Sequence, residues 1–286
     1  MRDRPPWLRV RLEDWDAYAR TEAIVREHGL HTVCFSARCP NIAECWGRRG
    51  TATLMLLGDV CTRRCGFCAV RNGRPGAVDR DEPARVARAV RAMGLRYAVL
   101  TSVARDDLPD GGAGLFAAAI REIRDLCPGV GVEVLIPDLR GREDALDTVF
   151  SALPDVLNHN LETVRRLQRR VRPSAGYERS LFVLRRAAAA GLAAKSGLML
   201  GLGEARAEVE EALRDLRAAG VMLLTLGQYL RPDREHLPVA RYVPPGEFDE
   251  LGAFARSLGF RSVQAGPLVR SSYHADEAVR ERRAPA

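Results

Sequence analysis

The sequence predicts an α/β fold, an open TIM-like partial barrel of six β/α units, (β/α)6, with N- and C-terminal extensions. Two observations predict it. From residue 53 onward six short apolar runs alternate with amphipathic stretches, the pattern of parallel βαβ units joined by right-handed crossovers. The segments that follow the runs are polar or glycine-rich, as expected where the functional groups of such folds gather. Six units are too few for a complete eight-fold barrel and enough for an open one.

Taken in order, the first strand is expected at Thr53–Leu57, with a cysteine-rich loop from Gly58 to Cys61 and beyond. The helix Glu82–Met93 then leads to Tyr97–Thr101, which ends at Thr101-Ser102. Gly114–Leu126 leads to Val132–Ile136, ending at Pro137-Asp138. Arg142–Phe150 leads to Asp155–Asn158, ending at Asn158-His159-Asn160. Leu161–Arg170 and Tyr177–Ala190 precede Ala194–Leu200, which ends in Gly201-Leu202-Gly203-Glu204. Ala205–Ala219 precedes Val221–Leu226, ending in Gly227-Gln228-Tyr229, and Arg261–Gln264 is a further strand candidate. The division expected is an N-terminal extension over 1–50, the barrel over 51–228 and a C-terminal extension over 229–286, neither extension having a β/α pattern of its own.

With 286 residues, 47% hydrophobic, 28% charged and 6% aromatic, the composition sits at the globular average and gives disordered, fibrous and membrane classes no support. No window approaches the roughly 18 apolar residues of a membrane span. The start, MRDRPPWLRVRLEDW, lacks the apolar core of a secretory signal, so a cytoplasmic protein is expected. The net charge of +7 comes from arginines, Lys195 being the one lysine. They are scattered on helix patterns such as Arg85, Arg88 and Arg91, which reads as solvated faces or a surface for an acidic protein and not as nucleic-acid binding.

Cysteine is distributed unevenly: six of the seven fall within 35 residues, and in a reducing compartment that points to metal or redox chemistry before disulfides. Cys61-x3-Cys65-x2-Cys68 places three thiols on one loop after the first strand. They can reach three corners of a 4Fe-4S cube and leave the fourth iron open, whereas zinc sites usually come as C-x2-C pairs closed by a fourth ligand. Cys34-x4-Cys39-x5-Cys45 is a second triplet, which a zinc site completed by His28 or His31 would also fit. Cys127, before Pro128, reads as a small buried hydrophobe. Asp106, Asp107 and Asp110 read as helix-start charges.

The C-x3-C-x2-C loop with an aromatic before its last cysteine, opening a β/α barrel, resembles the radical S-adenosylmethionine (SAM) superfamily. CFSARCPNIAECW, DVCTRRCGFCAV, TSVARDDLPDGGA, NHNLETV, KSGLMLGLGE, GQYLRP and RSSYHA, in this order, resemble the lipoyl synthase family from about Pro6 to Glu277. The resemblance implies that Cys61, Cys65 and Cys68 hold a 4Fe-4S cluster that binds SAM, and that Cys34, Cys39 and Cys45 hold an auxiliary 4Fe-4S cluster with Ser272 as fourth ligand. Arg270 and Ser272 are the implied catalytic residues. Phe67, Thr101, Ser102, Asn158, Asn160, Glu162, Gly201 and Gly203 are the candidate SAM contacts. The reaction implied is insertion of two sulfurs at C6 and C8 of a protein-bound octanoyl group, the sulfur coming from the sacrificed auxiliary cluster. The implied partners are an octanoylated lipoyl-carrier protein, a flavodoxin- or ferredoxin-type electron donor and iron-sulfur assembly proteins, with no nucleic acid and no membrane. Arg165 and Gln168 depart from the family pattern, where proline and tyrosine are expected. The competing readings are another radical sulfur-inserting or methylthiolating enzyme and an Arg-rich zinc protein that binds nucleic acid.

Overall fold

The computed structural model describes residues 4–8, 15–36, 39–46 and 51–272, and the chain divides into two compact units. Of the described residues the first comprises 15–36, 39–46, 51–64 and 69–158, and the second 4–8, 65–68 and 159–272.

In the first unit helix α1 (Trp15–Glu27) precedes the edge strand β1 (His31–Thr32), and short helices α2 (Val33–Ser36) and α3 (Ile42–Glu44) follow. Strand β1 pairs antiparallel with β2 (Thr51–Leu56). A two-residue pair, β3 (Val60–Cys61) and β4 (Arg71–Asn72), stands apart. Strands β5 (Tyr97–Ser102), β6 (Gly131–Leu135) and β7 (Val156–Asn158) extend β2 in parallel, in the order β1-β2-β5-β6-β7. The parallel strands read as unbroken apolar runs because both faces are covered, and all six residues of β2 are buried. The covering helices α4 (Glu82–Ala92), α5 (Ala113–Leu126) and α6 (Glu143–Phe150) each bury one stripe, such as Phe116, Ile120 and Ile123 of α5. At the end of β2 the chain turns through left-handed Leu57 and Gly58. Buried Glu82 at the start of α4 accepts the Leu57 N–H at 2.8 Å, which holds a conformation that costs a non-glycine residue about 1 kcal/mol or more.

The second unit has three parallel strands, β8 (Ala194–Leu200), β9 (Leu223–Gln228) and β10 (Ser262–Gly266). Helices α7 (Gln168–Val171), α8 (Tyr177–Ala189), α9 (Arg206–Ala218) and α10 (Pro245–Ser257) accompany them.

Two expectations are corrected. The C-terminal extension does carry a β/α pattern: α10 buries Phe248, Leu251 and Ala255, and β10 continues the parallel ladder beside β9. The proline at the first position of α10 suits a helix start, where its missing N–H has no intrahelical role. Leu161–Arg170 is not one helix. Glu162 stands at φ +68°, its N–H donates to Gly197 O and its carbonyl accepts from Met199 N, so the segment is bound alongside β8 before a short turn leads into α7.

Candidate metal and cofactor site

The Cys61–Cys68 loop belongs to the first unit at Cys61 and to the second at Cys65 and Cys68. In the first unit Cys61 Sγ accepts backbone N–H groups from Arg63 at 3.4 Å and Ala104 at 3.3 Å. Thr62 is bonded twice to Ala104 O, through its N–H at 3.0 Å and its hydroxyl at 2.9 Å. Arg63 is buried and donates to both oxygens of Asp106 at 2.7 and 2.8 Å and to Asp138, which has no exposed surface, at 2.6 Å. Burial works against the guanidinium charge, and the hydrogen bonds to the two carboxylates overcome it and hold the group firmly protonated. Sequence reasoning missed this triad. Its signal was an arginine inside the cysteine loop and an aspartate at the Pro137-Asp138 strand end.

Of the three aspartates expected at a helix start, only Asp110 is found there, its carboxylate accepting the N–H groups of Gly112 and Gly114 around the first turn of α5. Asp106 is taken by Arg63, and Asp107 pairs with buried Arg105 at 2.8 Å.

In the second unit Cys68 N donates to Cys65 O at 3.1 Å, closing the turn Cys65–Cys68. Gly66 N donates to Val171 O and Gly66 O accepts from Leu237 N, both at 2.9 Å. A Cβ on Gly66 would stand 2.9 Å from the Leu237 side chain, so the two segments meet as backbone. His236 Nε2 lies 2.9 Å from Cys68 O, and its Nδ1 2.6 Å from Asp233. Phe67, on this turn, is half-buried.

The strand ends separate the expected contacts. Thr101 spends its hydroxyl on Leu135 O at 2.9 Å. Ser102 Oγ is buried without a hydrogen-bond partner. Asn158, fully buried, donates to Glu133 at 2.9 Å, a carboxylate that also accepts from Tyr97 OH, and leaves its Oδ1 without a partner. In the second unit Asn160 Oδ1 is likewise unpartnered, and a Cβ on Gly197 would approach it to 3.1 Å. Glu162 beside it has its carboxyl pushed up by burial, opposed by Arg172 and by a hydrogen bond from Asn160. Arg172 donates to the carbonyls of Asn160 and Leu161 at 3.0 and 3.1 Å and fixes that loop. Gly201 and Gly203 are both left-handed. A Cβ on Gly201 would lie 2.3 Å from Gln228 Nε2 and 2.5 Å from Arg241 O; the close approach it permits is chain to chain.

The second triplet lies in the first unit. Cys34 is buried on α2, and burial pushes its thiol up to about 11, with Cys39 adding to the effect and hydrogen bonding from Thr53 opposing it. Cys39 N donates to Cys34 O at 3.0 Å and Cys45 N to Asn41 O at 2.9 Å. Trp46 stacks on Tyr18 with centroids 5.4 Å apart and meets the edge of Phe35 at 5.1 Å. No disulfide joins any of the seven cysteines. Among the described residues no three His, Cys, Asp or Glu side chains are gathered as a metal-holding group. Arg270 and Ser272 lie in the second unit. A Cβ on Gly227 would stand 2.2 Å from Val269 O, so their segment rests on the end of β9. The rest of RSSYHA, from Tyr273, lies outside the described residues.

The departures at Arg165 and Gln168 are accounted for locally. Arg165 pairs with Glu178 and Asp215 and stacks 4.2 Å over Tyr177. Buried Gln168 donates to the carbonyls of Leu161 and Thr163. Cys127 is buried with Sγ 3.7 Å from Ala87 O, as packing requires.

The donor chemistry fits the groups the sequence implies. Three soft thiols on one loop suit iron-sulfur ligation. The orphaned oxygens of Ser102, Asn158 and Asn160 are the kind of buried polar atom that a polar ligand satisfies.

Residues 55–216 match the Radical SAM superfamily. The chain is 58% identical over 277 residues to the lipoyl synthase of Methylococcus capsulatus, covering 96% of this chain and 86% of that protein. It is 58% identical over 284 residues to the lipoyl synthase of Thermus thermophilus, covering 98% and 88%. Among solved structures it resembles methylornithine synthase, with a TM-score of 0.52 at 15% identity over 89% of this chain and 82% of that one. It also resembles Streptococcus suis SuiB bound to S-adenosylmethionine, with a TM-score of 0.57 at 9% identity over 76% and 50%. At such identities the two structures speak for the fold alone.

Proposed function

The chain belongs to the lipoyl synthase family of the radical SAM superfamily, and from that membership we propose how its residues divide the work. It is a radical SAM enzyme acting on an octanoylated carrier protein, with a 4Fe-4S cluster and SAM as the family's cofactors. In our reading Cys61, Cys65 and Cys68 hold that cluster, and Cys34, Cys39, Cys45 and Ser272 hold an auxiliary one. When bound, these groups would supply one electron and one SAM-derived 5′-deoxyadenosyl radical for the hydrogen at each of C6 and C8 of the octanoyl chain, and the sulfur. An acidic flavodoxin- or ferredoxin-type donor and iron-sulfur assembly proteins complete the reading, with the reaction in the cytoplasm. Among the described residues no helix is long and apolar enough to cross a membrane.

The chain's own residues bind and orient. Arg63 ties the front of the cysteine loop to Asp106 and Asp138. Ser102, Asn158, Asn160 and Glu162 are the residues that the family likeness assigns to SAM, and Ser102, Asn158 and Asn160 each keep a buried oxygen available for a hydrogen bond. Phe67, Thr101 and Gly203 belong to the same set as backing groups. Arg270 and Ser272 act on the auxiliary side, where a hard serine oxygen is a poorer match to iron than a thiolate and suits a cluster that is consumed.

The near full-length likeness to lipoyl synthases, with both cysteine triplets and RSSY present, carries this reading. Anaerobic reconstitution tests it: about eight irons and eight sulfides per chain are expected if both clusters are of the four-iron type. Replacing Cys34, Cys39 or Cys45 by alanine is expected to abolish lipoyl formation and spare SAM cleavage. Loss of both activities assigns that triplet to the radical site and overturns the division.

A further inference from the structure

The segment that follows β9 does more than connect two elements. Between Tyr229 and Leu237 it returns to the cysteine loop at two points of the second unit, Gly66 and Cys68. Leu237 N donates to Gly66 O at 2.9 Å. Tyr229, fully buried, donates its hydroxyl to Leu237 O at 2.8 Å and locks that residue from behind. His236 Nε2 lies 2.9 Å from Cys68 O and Nδ1 2.6 Å from Asp233 Oδ1. A peptide carbonyl only accepts, so Nε2 is the donor to Cys68. Asp233 fixes the rotation of the ring, and it also accepts the Glu235 N–H at 2.9 Å, which shapes the turn that presents the histidine. Arg231 draws the same turn together by donating to His236 O at 2.8 Å. From the other side Val171 O accepts the Gly66 N–H. The Cys65–Cys68 turn is thus held between the residue-171 segment and the residue-236 segment, 103 and 168 positions further along the chain respectively.

We propose that His236, oriented by Asp233, is a positioning residue that clamps the Cys65–Cys68 turn through the Cys68 carbonyl, so that retention and electronic environment of the SAM-binding cluster depend on the seating of the 229–241 segment. The inference rests on the reading that Cys61, Cys65 and Cys68 hold that cluster. Partners one shell out orient the ligating groups of a metal site, and hydrogen bonding near an iron-sulfur cluster shifts its potential.

The test uses the full chain reconstituted anaerobically with both clusters, in five forms: parent, His236→Ala, His236→Gln, Asp233→Asn and Cys65→Ala. The readouts are the rate at which a chelator strips iron, the midpoint potential, and the EPR spectrum of the reduced cluster with and without SAM. Losing one hydrogen bond to the turn is expected to speed iron loss about fivefold in His236→Ala and to alter the SAM-induced change in its spectrum. His236→Gln, which keeps an N–H donor, is expected to restore most of both, and Asp233→Asn to fall between. Thermal melting of the cluster-free forms is expected to be unchanged by Asp233→Asn, which keeps the test open if His236→Ala folds poorly. Parent-like iron loss, potential and spectra in both His236→Ala and Asp233→Asn overturn the proposal. A SAM-responsive spectrum that survives Cys65→Ala overturns the underlying ligand assignment instead.

Discussion

Replacing Arg63 by alanine removes a cation placed against Asp138, a carboxylate with no exposure to solvent. Arg63 Nη2 stands 2.6 Å from Asp138. At an effective dielectric of about 20 the attraction across that distance is ~6 kcal/mol before desolvation of both groups is subtracted. The variant leaves Asp138 buried, and the Arg140 N–H at 3.0 Å is a weak substitute for a guanidinium. Breaking a buried pair in this way costs about 3–5 kcal/mol, a fall of ~10 °C in melting temperature for a protein of this size. Asp106→Asn, at a partner 28% exposed, is expected to cost about 1 kcal/mol or less. The assay is anaerobic thermal and urea unfolding of the cluster-free protein followed by circular dichroism. Asp138→Asn in the Arg63→Ala background should recover more than half of the loss, because the penalty belongs to the stranded charge. An Arg63→Ala variant within ~1 kcal/mol of the parent, or no recovery in the double variant, would refute the reasoning.

Ser102→Ala removes a buried oxygen that has no partner, so the cofactor-free protein is expected to melt at the same temperature or higher while SAM binding, measured by equilibrium dialysis, weakens about fivefold; unchanged affinity removes Ser102 from the site. Gly227→Ala drives a Cβ to 2.2 Å from Val269 O and displaces the segment that bears Arg270 and Ser272. Lipoyl formation is expected to fall about a hundredfold with SAM cleavage retained, and parallel loss of the two would refute the separation. Glu208 accepts from Arg166 and from the Ala205 N–H at the start of α9, and the Arg166 hydrogen bond is the larger cause that carries its carboxyl from 4.5 down to about 2. A depressed carboxylate stabilises the fold above its unfolded pKa, and that contribution is lost as pH falls from about 4.5 toward 2. Glu208→Gln should therefore flatten the acid limb of a stability-pH curve, and an unchanged limb counts against the pair.

The parts legible in the sequence were those with a local signature. The six apolar runs became β2 and β5 to β9, displaced at their ends by a residue or two, because burial on both faces writes a continuous apolar code. Leu161–Arg170 misled because its helical spacing of apolar residues also suits a strand-bound turn, and the deciding contacts, from Gly197 and Met199 to Glu162, come from β8. Asp106 and Asp107 looked like helix-start charges by position; the fold brings Arg63 to Asp106 across 43 positions, while Asp107 is taken by Arg105 two residues away.

The sequence by itself determined the cysteine spacings, the order of β/α units and the family, since each is a matter of residue type at fixed separation along the chain. Tertiary structure alone decided which polar groups are spent and which are left over. Thr101 is taken by Leu135 while Ser102 next to it is stranded, and His236 finds Cys68 across 168 positions of sequence. Hydrogen bonds reach only about 3 Å, so these assignments depend on which backbones pass within that distance, and spacing along one chain does not encode it.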